Sequence, residues 1–141
     1  MKNMSGGFSL AEYLVTKKLV AKEHVLKAFY EYICGVSPSE IEIKYGVSKI
    51  IVRGMRDRVV RKRRGSAFHA IEAAKRLIPL ILETPMPMLI DGDSRCKLCG
   101  RHLNGVKLSF PEDHLLKRHR DAVKQYTLVV IDMVKSQRGA R

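Results

Sequence analysis

Residues 37–55 of the chain, SPSEIEIKYGVSKIIVRGM, contain the start signals of two helices with a glycine between them. Ser37 is followed by Pro38, which is the pattern of a helix N-cap with proline at the first helical position. Gly46 is placed to end this short helix. Ser48 then provides the cap of a longer helix. The stretch therefore predicts two helices joined by a tight corner.

The corner between these helices has the residue types that such a corner requires. Two helices that meet across a turn of about three or four residues need a residue that tolerates positive φ, and Gly46 supplies it. They also need apolar residues on both inner faces and one in the turn. The apolar residues at the expected spacing are Ile41, Tyr45, Val47, Val52 and Met55.

The segments Glu40-Ile41 and Lys44-Tyr45-Gly46-Val47-Ser48-Lys49, with Val52, resemble the helix-turn-helix family of DNA-binding proteins. Where the family usually has a small residue at the helix crossing, this sequence has Glu42. The resemblance implies that the helix beginning at Ser48 is the recognition helix and enters the major groove of double-stranded DNA.

The same resemblance implies roles for the polar side chains of this unit. The outward face of this helix would carry Ser48, Lys49, Ile50, Arg53 and Asp57. Of these residues, Lys49 and Arg53 would donate hydrogen bonds to guanine edges. Further basic residues would contact phosphates, which provides affinity without sequence reading. These residues are Lys44, Arg56, Arg61, Lys62, Arg63 and Arg64. The expected function is sequence-specific transcription regulation.

The charge of the chain is concentrated in the same region. The 141 residues carry a net charge of +13, and residues 44–64 hold nine basic side chains and one acidic side chain. Such an excess favours a polyanionic partner. An ordinary helical hairpin with a solvated basic face is the alternative interpretation. RNA is a further alternative, although no aromatic residue lies between Lys49 and Arg64 for single-strand stacking.

Two cysteines and two histidines in the second half of the chain have the spacing of a metal site. Cys96 and Cys99 are separated by two residues, His114 follows after 14 residues, and His119 after four more. Thiolates and imidazoles in this arrangement suit tetrahedral Zn²⁺. The zinc would be structural, because four protein ligands leave no position for water. A fortuitous cysteine pair is the alternative, and His102 is a rival ligand.

Residues 94–120 resemble the Cys2His2 zinc-finger family, in which the second cysteine and the first histidine are usually about 12 residues apart. Val106 to Phe110 alternates like a short strand. Pro111 predicts that the histidine-bearing helix begins nearby, since proline is tolerated only in the first turn. Glu112 and Asp113 then replace the usual base-reading residues, so this unit is expected to stabilise the fold or contact a partner.

The whole sequence predicts a mainly α fold. A helical helix-turn-helix domain (8–83) is expected to be followed by a linker (84–93) and a small ββα-like zinc finger with an extended C-terminal helix (94–137). The first domain would include helices from about Leu10 to Val20 and from Lys22 to Cys34, with Cys34 as a core residue. A further helix is expected over residues 67–82, bent or interrupted at Pro79.

Two segments, residues 78–82 and 128–134, are apolar around most of a helix. They predict either mutual packing or packing against a second copy. We expect a homodimer, because two-fold symmetry lets paired recognition helices read two half-sites.

Several other classes of protein are disfavoured. The chain has no apolar run of about 20 residues, so no membrane association is expected. Residues 1–10 lack the pattern of a signal peptide, and three cysteines favour a reducing compartment, so we expect an intracellular protein, cytoplasmic or nucleoid-associated. The sequence contains neither a carboxylate cluster nor an activated nucleophile, so an enzyme is not expected.

The motif combination resembles small regulators of archaea and their viruses. The alternative function is a non-specific nucleic-acid-binding adaptor whose zinc unit contacts a partner protein.

Overall fold

The computed structural model of the chain describes residues 2–63, 65–91, 93–103 and 110–139, most of which are helical. The helices are α1 (Lys2–Leu19), α2 (Glu23–Ile33), α3 (Pro38–Tyr45), α4 (Lys49–Arg63), α5 (Ala67–Glu83), α6 (Phe110–Arg118) and α7 (Arg120–Gly139). Within these ranges, none of the helices has both the length and the apolar character needed to cross a membrane.

Helix α1 lies at the centre of the fold and packs against α2, α4, α5, α6 and α7. Its residues Leu10 and Leu14, one turn apart, are fully buried, and so is Val15 on the neighbouring side. A helix covered on several sides needs apolar residues on several sides. Val130 of α7 belongs to the same hydrophobic core. The division of the chain at residues 84–93 stays a prediction, but residues on both sides of it share one core.

Helices α3 and α4 form with the caps that the sequence predicts. The Ser37 hydroxyl accepts a hydrogen bond from the Glu40 backbone N–H at 3.2 Å. Gly46 ends α3 in the left-handed conformation, with φ of 69°. The Ser48 hydroxyl accepts from the Ile51 N–H at 3.3 Å. Both predicted N-caps and the glycine corner are therefore confirmed.

The inner faces of α3 and α4 are apolar and contribute to the core. Four of the five apolar residues expected there are buried, and Tyr45 is half-buried. The buried four are Ile41, Val47, Val52 and Met55. The Glu42 side chain is exposed, so its carboxylate lies outside the helix crossing.

Helices α5 and α7 pack against each other, and residues of both apolar segments belong to the hydrophobic core. Helix α5 runs through Pro79 without interruption to Glu83. At its end, the Thr84 hydroxyl lies 3.1 Å from the sulfur of Met133 on α7. Mutual packing therefore accounts for much of the apolar character of these helices. The homodimer stays a prediction.

The predicted ββα-like zinc finger is wrong. Among the described residues there is no strand, and the β pairing consists of two isolated bridges, Ile90 with Cys96 and Arg95 with His102. The turn that carries the cysteines is too short for its two sides to form a ladder of paired β residues. The predicted strand from Val106 to Phe110 falls largely on residues 104–109, which lie outside the described residues, and Phe110 already belongs to α6.

Replacing Gly46 with alanine should destabilise the fold by about 1 kcal/mol, because a side chain at positive φ is strained. Gly54 is the matched control. It lies inside α4, where an added Cβ would meet only the end of the Arg58 side chain at 3.5 Å. Gly54→Ala should therefore stabilise the protein by about 0.5–1 kcal/mol. Urea denaturation of both variants measures the difference, and equal effects would contradict the assigned corner.

Candidate metal centre

The two cysteines lie in a tight turn that presents both sulfurs to one side. The Gly100 N–H donates to the Cys96 carbonyl at 2.7 Å, and Gly100 has φ of 77°. The Cys96 N–H donates to the Arg101 carbonyl at 2.9 Å, which closes the turn. Cys96 is fully buried, whereas Cys99 is exposed.

This turn is anchored to the end of α1 by backbone hydrogen bonds. The Lys97 N–H donates to the Leu89 carbonyl at 2.8 Å. The N–H groups of Leu89 and Ile90 in turn donate to the Leu19 carbonyl, at 2.8 and 3.2 Å. Leu89 and Ile90 are buried in the core. The segment before the cysteines thus holds the turn at a fixed place beside α1.

One of the two histidines lies in a helix, and the other lies at the break that follows this helix. His114 is in α6, and His119 lies between the end of α6 at Arg118 and the start of α7 at Arg120. On one ideal helix, two residues five positions apart would point about 140° away from each other. The break removes this difficulty, and the imidazole centroids lie 5.1 Å apart. Helix α6 begins at Phe110, so Pro111 lies in its first turn, as predicted.

The structure brings all four predicted ligands together. One donor atom each of Cys96, Cys99, His114 and His119 lies within 4.8 Å of all the others, so the cluster could hold a metal ion. The Cys99 sulfur is 3.5 Å from Nε2 of His114. Metal–sulfur and metal–nitrogen bonds of about 2.3 and 2.05 Å in a tetrahedron give a separation of about 3.6 Å.

Two further observations fit a metal at this cluster. Nε2 of His119 is buried and has no hydrogen-bond partner among the described residues, which is costly unless it binds an ion. Burial, followed by the neighbouring charges of His119, Arg101 and Arg118, holds the pKa of His114 below its usual value. A lowered pKa favours the neutral imidazole, which is the form that binds metal.

The remaining cysteine and the rival histidine lie elsewhere. His102 is exposed, and its Nε2 is 2.7 Å from the guanidinium of Arg95. Cys34 is exposed at the end of α2, so the prediction that it is a core residue is wrong. Neither residue belongs to the cluster of donors found in the described part of the chain.

Glu112 connects the metal-bearing helix to α1, and no pattern in the sequence indicates this role. Its carboxylate accepts hydrogen bonds from Lys17 at 2.7 Å and from Lys22 at 2.9 Å. Burial alone would raise the pKa of Glu112, but the two ammonium groups outweigh it, and the pKa lies below its usual value. Arg120 and the buried Glu12 form a second ion pair at 2.8 Å, which links α7 to α1.

The basic residues predicted for DNA binding lie along α3 and α4. Most of their side chains are exposed, while Ser48 and Arg63 are half-buried. The exposed residues are Lys44, Lys49, Arg53, Arg56, Arg61 and Lys62. Arg64 lies outside the described residues. These exposed basic residues are not among the four metal donors.

Lys44 differs from the other basic residues because it has a partner. Its ammonium group is 2.9 Å from the carboxylate of Glu31 on α2. The Tyr45 hydroxyl donates to the same carboxylate. Hydrogen bonds from Tyr45 and Lys44 hold the pKa of Glu31 below its usual value. This contact braces α3 against α2.

A cavity of about 350 Å³ adjoins the metal donors. It is lined by Cys99, Arg101, His114, Arg118 and His119. Arg101 was not singled out in the sequence, because no local pattern distinguishes it from the many other basic residues, whereas Arg118 was among the residues expected to be able to contact phosphates.

No protein-family model, curated protein or solved structure matches this chain. The site is therefore interpreted from its own geometry.

The protein should bind one divalent metal ion, and His119→Ala should abolish stoichiometric binding, because removal of one of four ligands opens the site. Cys34→Ala is the matched control and should bind normally, since Cys34 lies outside the cluster. Titration with Co²⁺, followed by the visible absorption of a thiolate-ligated tetrahedral ion, measures both. Equal binding by the two variants would contradict the site.

The buried ion pair of Lys17 and Glu112 should show a coupling energy of about 1–3 kcal/mol in a double-mutant cycle with Lys17→Met and Glu112→Gln. Their side chains are only 12% and 9% exposed. The control is the pair of Lys75 and Glu72, which is 35% and 44% exposed. Its coupling should be about 0.2–0.5 kcal/mol. Urea denaturation of the metal-loaded proteins measures both cycles, and similar couplings would argue against the structural role of Glu112.

Proposed function

We propose that this protein is a sequence-specific regulator that binds double-stranded DNA, with α4 as its recognition helix. The observation that carries the proposal is the two-sided character of α4, which follows the glycine corner at Gly46. One side is buried against the core, and the other presents exposed cationic side chains. Among the described residues, none of the exposed cations of α4 is paired with a carboxylate.

The two sides of α4 follow from its helical geometry. Val52, Met55 and Val59 recur every three or four residues and are buried. At about 100° per residue, Ile50 and Asp57 fall on the opposite side of the helix. Both are exposed, and Ile50 is 78% exposed. A large exposed apolar residue at the start of a basic helix is well suited to an interface.

The exposed side chains match the groups that DNA offers. Arg53 and Lys49 can donate to the N7 and O6 atoms of guanine, and Ile50 can contact the methyl group of thymine. Asp57 can accept a hydrogen bond from the amino group of cytosine. Arg56 and Arg61 are placed to contact phosphates, which orient the protein on the duplex.

The metal in this proposal is a single structural Zn²⁺ ion. Two thiolates and two imidazoles are the ligand set of structural zinc sites. Cys96, Cys99, His114 and His119 would hold it, and its binding energy would stabilise the turn and the break between α6 and α7. The ion pairs of Glu112 and Glu12 connect α6 and α7 to α1. Helix α1 in turn packs directly against α4.

Selection from random-sequence duplexes tests the proposed function. The zinc-loaded protein should enrich a defined motif. Arg53→Ala should relax the preference at one base pair by about tenfold, or about 1.4 kcal/mol, which lies within the range of about 1–3 kcal/mol for a bidentate contact. Arg76→Ala, an exposed arginine on α5, is the matched control and should leave the motif unchanged.

Enrichment of no motif, with binding that falls equally steeply with salt in all three proteins, would overturn sequence-specific regulation. That outcome would favour a non-specific nucleic-acid-binding adaptor.

A further inference from the structure

The cavity beside the metal donors combines a concave shape with two arginines. Its lining contains three metal donors together with the guanidinium groups of Arg101 and Arg118, and none of the five lining residues that the structure describes is acidic. Arg101 precedes the segment that leads to α6, and Arg118 ends α6. The turn that carries the cysteines and the helix that carries His114 therefore each contribute one arginine to the same space.

The charge in this cavity is positive. Two thiolates neutralise a divalent metal ion, and neutral imidazoles add no charge, so the loaded cluster carries no net charge. The two guanidinium groups then leave an excess of two positive charges. Both side chains are exposed, and within the described part of the chain neither forms an ion pair with a carboxylate.

Converging guanidinium groups are suited to a tetrahedral oxyanion. Arginine presents a planar fork of donors that matches phosphate oxygens, and two such forks fix an anion more firmly than lysines do. A cavity of about 350 Å³ has room for a phosphate group and its nearest atoms. A metal with four protein ligands has no open position, so the anion would be held by the arginines.

We propose that this cavity is a phosphate-binding site formed by Arg101 and Arg118, and that it receives a phosphodiester group of bound DNA. The choice of DNA as the source rests on the proposed function. The site itself rests only on the cavity and its charge.

The packing of the helices relates this cavity to the proposed recognition helix. Helix α1 packs against both α4 and α6, and α6 ends at Arg118. A phosphodiester of the same duplex is therefore the source of phosphate that the proposed function supplies.

The test compares two double variants of the metal-loaded protein with the wild type. The first, Arg101→Gln/Arg118→Gln, removes the cavity arginines. The second, Lys97→Gln/Lys117→Gln, removes the same charge from exposed neighbours that do not line the cavity. Metal content is measured first, so that loss of the ion is not mistaken for loss of the anion site.

Two measurements are made on each protein. Inorganic phosphate binding, followed by ³¹P NMR, should weaken at least tenfold in the arginine variant and less than twofold in the lysine variant. Binding to a random-sequence duplex at several salt concentrations gives the slope of log K against log salt. This slope should fall by about 1 in the arginine variant, which corresponds to one lost phosphate contact, and should change less in the lysine variant.

The outcomes separate the site from its source. Specific loss of phosphate binding with an unchanged DNA slope would support the site but overturn DNA as the source, in favour of free phosphate compounds. Absence of phosphate binding by the wild type, or equal loss in both variants, would overturn the site. If no duplex binds at all, the proposed function fails, while the phosphate measurement still decides the site.

Discussion

The carboxylate of Glu112, buried between Lys17 and Lys22, is the interaction on which the arrangement of this protein depends. It joins residues that are about 90 positions apart in sequence. Because the charge is removed from water, it is stable only while both lysines stay in place. Through this contact, the helix that carries the first histidine ligand is fixed against α1. Helix α1 packs in turn against α4, so the metal centre and the basic helix share one support.

The parts of the fold that the sequence predicted well are those that depend on near neighbours. The caps at Ser37 and Ser48 form hydrogen bonds three residues along the chain, and Gly46 is required by one local backbone conformation. The four metal donors were also found from spacing. Zinc is bound by only a few residue types. A turn for the cysteines and a helix for the histidines are enough to bring the four donors together.

The parts that were missed depend on distant residues. Glu112 was expected to replace a base-reading residue, and nothing near it in sequence indicates that Lys17 of α1 and Lys22, at the start of α2, neutralise it. The zinc-finger resemblance predicted strands, whereas the turn around the cysteines pairs instead with the segment at Leu89. In each case tertiary contacts decided the outcome.

Because α1 is buried on several sides, the protein cannot easily be divided into independent fragments, in the laboratory or in evolution. Helix α7 packs against α1, and Val130 of α7 belongs to the same hydrophobic core as Leu10 and Leu14. A fragment ending before residue 84 would leave part of this core in water. The basic unit and the metal unit are thus not interchangeable modules. Neither unit can be transferred to another protein without the other. Substitutions on one side of α1 must be compensated by substitutions on the other side.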